Sequence, residues 1–177
     1  MYRASLRSLK LAKEAVEKRK SVEIVSELVA DEIEASAMCI LGAHTCLEAY
    51  INSIIQDCCS DYHRVLERMS VTEKWFITPR LMGSSDCFVL NQKPYCDFEQ
   101  LNSWRNDIAH FAHRWEKVGT VGGLMSKAGK AYSVCNEQNA EKAIAIISEM
   151  IGQLALKTKT PKPSWLGPAG LWLKDVI

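Results

Sequence analysis

Residues 101 to 117, LNSWRNDIAHFAHRWEK, set two arginines, two asparagines and two histidines among large apolar side chains. On a helix at about 100° per residue, Leu101, Trp104, Ile108, Phe111 and Trp115 form one narrow stripe. Asn106, His110 and His113 fall on the opposite side, and Arg105 stands at the border between the two. These residue types suit acid–base work on a phosphodiester. An imidazole near its unperturbed pKa of about 6.5 takes a proton from a ribose 2′-hydroxyl or returns one to a leaving 5′-oxygen. A permanently charged, forked guanidinium beside it suits the phosphorane oxygens as charge builds on them. Such a reaction ends in a 2′,3′-cyclic phosphate and calls for no cofactor. One helix offers a single His–Arg set, whereas cleavage wants a base and an acid. Two identical helices paired across a two-fold axis supply both.

Two plainer readings compete. The polar groups can simply face water, although Lys and Glu are the stronger helix formers for that purpose. A metal site is disfavoured: His110 and His113 make at most half of one, and no third ligand lies near in sequence.

The elements that must position this helix all show the helical period. Residues 3 to about 19 read as a basic amphipathic helix with Leu6, Leu9, Ala12 and Val16 along one side. From about Val22 to Cys59 the pattern barely breaks, predicting one long helix or two with a bend near Gly42. Ser70-Val71-Thr72-Glu73 matches a capping box and opens a helix carrying Trp75, Phe76 and Leu81, its regularity limited by Pro79. Residues 83 to 96 read as a loop, and Asp97 reads as the cap of the segment quoted above. A last helix is expected from about Asn139 to Leu156, burying Ala143, Ile146, Ile147, Met150, Ile151 and Leu154. Between that segment and the last helix, residues 117 to 138 are glycine-rich and irregular. The tail from 158 to 177 holds prolines, with Trp165 and Trp172 expected to dock on something. The expected fold is all-α: a single domain, 1–177, built as a bundle of four or five helices.

Composition sets the outer bounds. The 177 residues are 47% hydrophobic and 24% charged, as in a globular protein, and the formal charge of +1 gives no overall basic field. Lys10, Lys13, Lys18, Arg19 and Lys20 could guide phosphates, but Glu14 and Glu17 interrupt them, favouring a solvated face. The seven cysteines are odd in number and lack Cys-x-x-Cys spacing; Cys39 and Cys46 fit core packing, and reduced thiols fit a cytoplasm. No signal-peptide core opens the chain and no run approaches the ~20 apolar residues of a span, so a cytoplasmic protein without a membrane partner is expected. Neither GTVGG, 119 to 123, nor AGKAYS, 128 to 133, has the spacing of a nucleotide-binding loop. The vicinal pair Cys58-Cys59 at a helix end carries no redox signature of its own.

Arg105-Asn106-Asp107-Ile108-Ala109-His110 resembles the Arg-x4-His signature of HEPN domains, including the asparagine after the arginine. CLEAYINSII, 46 to 55, is similar to the Glu-aromatic-Asn pattern of the helix packed beside it in that family, and the lysine-bearing VTEKWF and the final helix suit its order of elements. The resemblance covers about residues 22 to 157. It implies an HEPN-like bundle acting as a metal-independent endoribonuclease on an RNA substrate. It also implies a homodimer with the cleft where two motif helices meet, serving as a toxin or antiphage effector with an antitoxin or other regulatory protein as partner. Carried over by position, Arg105 and His110 are the catalytic pair, Asn106 a polar support, and Glu48 a residue orienting the motif helix. His113 lies outside the motif as a candidate substrate contact. Ala112 stands where nucleotidyltransferase-silenced toxins often carry a tyrosine, so that mode of control is not expected. The competing expectation is a non-catalytic helical dimer that binds a partner protein or a nucleotide through the same residues.

Overall fold

The computed structural model describes the backbone of residues 1–21, 25–115 and 133–166, and the side chains within these except 20, 21, 25–28 and 111–115. The described residues are all-helical, with no strand. Helix α1 spans Tyr2–Ser21 and α2 spans Val25–Cys58. A 3-10 turn, Ser60–Tyr62, leads into the four-residue α3, His63–Leu66, which the apolar pattern did not signal. Helix α4 spans Val71–Leu81, α5 spans Tyr95–Trp115 and α6 spans Glu137–Thr158.

Helix α2 is the axis of the bundle, and α1, α4, α5 and α6 all pack on it. It is one continuous helix of 34 residues, about 50 Å long. Gly42 does not interrupt it. A Cβ there would run into the Ser5 hydroxyl, so the bare backbone lets α1 lie close against α2. The α1 row is Leu6, Leu9, Ala12 and Ala15, with Val16 only half-buried. By length and a mean hydropathy of 1.3 alone, Val29–Cys58 is apolar enough to cross a membrane, where the sequence reading expected no such run; a buried core helix meets the same measure. Its apolarity has another use here, since Ile40, Ala43, Leu47, Ile51 and Ile55 fill the core.

Helix α4 begins as expected. The Ser70 side chain accepts from the Glu73 amide while the Glu73 carboxylate accepts from the Ser70 amide. The Ser70 hydroxyl, which also donates to this carboxylate at 2.7 Å, and the Ser70 amide hold the Glu73 carboxyl below its ordinary pKa. The helix runs through Pro79, forgoing the bond that an N–H at 79 would make to the Trp75 carbonyl, and stops at Leu81. The last helix buries every residue the period selected, together with Ala140 and Ala155. Each fully buried Ile or Leu is worth about 1.5–3 kcal/mol, so this stripe outweighs any difference in helix propensity. Asn136 caps it three residues earlier than the expected start, accepting from the Asn139 amide. The α6 N-terminus also donates from Glu137 to the buried Glu32 of α2, whose other oxygen binds Arg19 at 2.8 Å.

The start of α5 differs from the sequence reading. The helix opens at Tyr95, not after Asp97, with the Cys96 amide on Gln92 and the Phe98 amide on Pro94. Asp97 is buried inside the first turn and binds Lys142 at 3.0 Å and Lys93 at 3.3 Å. Burial pushes its carboxyl up, and the two ammonium groups more than reverse that, leaving it below the ordinary value. Trp165 packs on Tyr2 and Tyr50 as a docked tail aromatic should. Trp172 lies outside the described residues.

Candidate functional site

The N-terminal half of α5 is anchored before any polar edge begins. Tyr95 and Phe98 join Trp75 and Phe88 in an aromatic cluster with ring centroids about 6 Å apart, all four buried. The Tyr95 hydroxyl donates to the Thr72 carbonyl at 3.0 Å, tying α5 to α4. Further along, Trp104 lies under the Lys142 ammonium, 5.7 Å from its ring centroid, so α6 holds the other flank.

On this frame Leu101, Trp104 and Ile108 are buried as the stripe requires. Arg105, Asn106 and His110 are exposed. The side chains of Phe111, His113 and Trp115 lie outside the described residues. Arg105 Nη1 donates to Asn106 Oδ1 at 3.1 Å. Asn106 and His110 are four residues apart, about 40° around the helix, whereas Arg105 and His110 are separated by about 140°. The two halves of the motif therefore look toward different neighbours: His110 outward beside Asn106, Arg105 toward the α2 flank.

That flank carries a polar row that the sequence reading missed in part. His44, Glu48 and Asn52 follow one another at four-residue spacing on α2, one face of a helix. Asn52 accepts from the buried Lys74 of α4 at 3.0 Å, which places the lysine of VTEKWF beside the Glu-x3-Asn helix. Glu48 is half-buried. His44 is 4% exposed, its ring stacked on Phe98 at 6.4 Å, with Nε2 3.0 Å from Asn102 Oδ1. An amide oxygen only accepts, so Nε2 carries the proton and donates. Burial lowers the His44 pKa below the ordinary histidine value. The Asn102 bond and the Glu48 carboxylate oppose that shift, and the Arg105 guanidinium adds to it. Arg105, Glu48 and Asn102 thus meet electrically around one buried neutral imidazole. The signal was present in the sequence as the four-residue spacing of His44, Glu48 and Asn52 in an otherwise apolar helix.

The other candidates fall away from this edge. Two members of the basic run of α1 are paired within the fold: Lys13 binds Glu141 of α6 at 2.5 Å, and Arg19 binds Glu32. Cys39 and Cys46 are core, their thiols pushed up by burial to about 12 and about 11. Cys58 is exposed and Cys59 buried. The glycine-rich sequences from 119 to 132 lie outside the described residues. No protein-family model, curated protein or solved structure matches this chain.

Proposed function

We propose that the chain is a metal-independent endoribonuclease of HEPN type, acting as a homodimer in the role of a toxin or defence effector. The observation that carries the reading is the exposure of Asn106 and His110 on the side of α5 opposite its buried stripe, with Arg105 exposed at the border between the two. In the reaction His110 takes the proton of a ribose 2′-hydroxyl, and the freed oxygen attacks the adjacent phosphorus. The P–O5′ bond breaks, the 5′-oxygen leaves with a proton from the acid, and a 2′,3′-cyclic phosphate remains. The Arg105 fork stabilises the negative charge that builds on the non-bridging oxygens. Because Arg105 and His110 diverge on one helix, the motif helix of a second copy is what brings a base and an acid to opposite sides of one linkage.

That same divergence favours the second reading, a non-catalytic helical dimer that binds a nucleotide or a protein through Arg105 and His110. Cleavage separates them. In EDTA, with dimerisation checked by light scattering, the wild type cuts labelled RNA. His110→Ala and Arg105→Ala each lose about 10²–10⁴-fold in rate while remaining dimeric. A well-folded wild-type dimer that binds RNA or a nucleotide without cutting would establish the binding module instead.

A further inference from the structure

We infer that His44 is a positioning residue for Arg105, holding through Asn102 the turn of α5 from which the guanidinium projects. The inference rests on the ribonuclease reading for its kinetic consequence, though not for its geometry. An imidazole is an unusual choice for the seam between two helices. A leucine would fill the space without asking for a hydrogen-bond partner, and a buried polar group is tolerated only when paired. Here the ring lies flat on Phe98, at 19° between planes, and commits Nε2–H to Asn102 Oδ1. Asn102 sits one turn before Arg105, about 60° away around the helix, so its orientation fixes the flank along which Arg105 extends. The bond therefore links the α2 row of His44 and Glu48 to the motif residue that lies nearest α2. It does so from beneath, in a place substrate cannot touch.

The chemistry gives His44 a task that a packing residue could not perform. The neutral ring offers one directional donor, whereas a protonated ring would set a second cation against Arg105. Of the charged groups acting on the ring, Glu48 comes from its own helix and Arg105 from α5. The balance leaves the ring neutral at physiological pH, the form in which Nε2–H can hold Asn102 without repelling the guanidinium.

The test compares wild type, His44→Gln and His44→Leu. Glutamine keeps a donor for Asn102; leucine keeps only the volume. Two readouts are taken: kcat and KM on a labelled RNA, and the rate at which phenylglyoxal modifies Arg105, followed by mass spectrometry. In His44→Leu, kcat falls by about tenfold or more with KM within about twofold, and the modification rate of Arg105 changes severalfold. His44→Gln restores both. In an Arg105→Lys background, His44→Leu adds little further loss, because the group it positions is already gone. Should His44→Leu fail to fold, Asn102→Ala breaks the same bond from the half-exposed side and carries the same expectations. Unchanged kcat and labelling in the folded variant would overturn the inference. So would a loss that glutamine does not rescue, or one that multiplies fully with Arg105→Lys. If the wild type itself does not cut RNA, the ribonuclease reading fails, and the labelling of Arg105 alone decides whether His44 positions it.

Discussion

Among single residues, His44 has the strongest claim to a measurable effect. Its folded pKa lies below the ordinary histidine value, with burial as the main cause. Between pH 6.5 and that lowered value the unfolded chain takes up a proton that the folded one refuses, so stability falls as pH drops through the window. Thermal unfolding from pH 7.5 to 5 is expected to show a steeper decline for wild type than for His44→Gln. Equal slopes would mean that the ring titrates freely in the folded protein. Arg105, Asn106 and His110 were legible from sequence because type and spacing alone set them apart from the Leu101–Trp104–Ile108 stripe. The role of His44 was not, because its four-residue spacing with Glu48 and Asn52 marks a polar row but does not show that the Asn102 amide faces it.

At the scale of elements, the parts read correctly were those in which one local signal decides the outcome. The 70–73 capping box formed both reciprocal bonds, and the apolar period of α6 named its buried residues in advance. The start of α5 was misread because Asp97 has the chemistry of a cap, while its partners, Lys142 on α6 and Lys93 before the helix, are set by packing. Gly42 is a similar case: in sequence it is a place where a helix could bend, and in the fold it is where α1 approaches α2. Gly42→Val, which puts a branched side chain against Ser5, is expected to cost about 1–3 kcal/mol in chemical denaturation, more than the valine gains in helix propensity. An unchanged midpoint would show that the two helices part at little cost. This contact matters to the site because α2 carries His44, which faces Asn102 of α5.

For the molecule as a whole, the bundle is arranged so that α5 is gripped on two flanks and open on a third. Helices α4 and α2 hold its aromatic start, α6 holds Asp97 and Trp104, and Asn106 and His110 are left at the surface. The all-α class was legible from periodicity because every long segment repeats at three and four residues. The use of the open side was not, since the same exposure serves a catalyst or a binding surface, and the distinction lies in the bond that is broken. The most direct measurement is therefore made on the RNA. Wild-type protein in EDTA is given an all-ribose oligonucleotide and, in parallel, one carrying a single 2′-deoxyribose at the cut site. The expected result is cleavage of the first to 2′,3′-cyclic phosphate and 5′-hydroxyl ends, no cleavage at the substituted linkage, and neither reaction with His110→Ala. No cleavage by a folded wild-type dimer, or equal cleavage at the deoxy linkage, would contradict attack by the 2′-hydroxyl and remove the ribonuclease reading of Arg105 and His110.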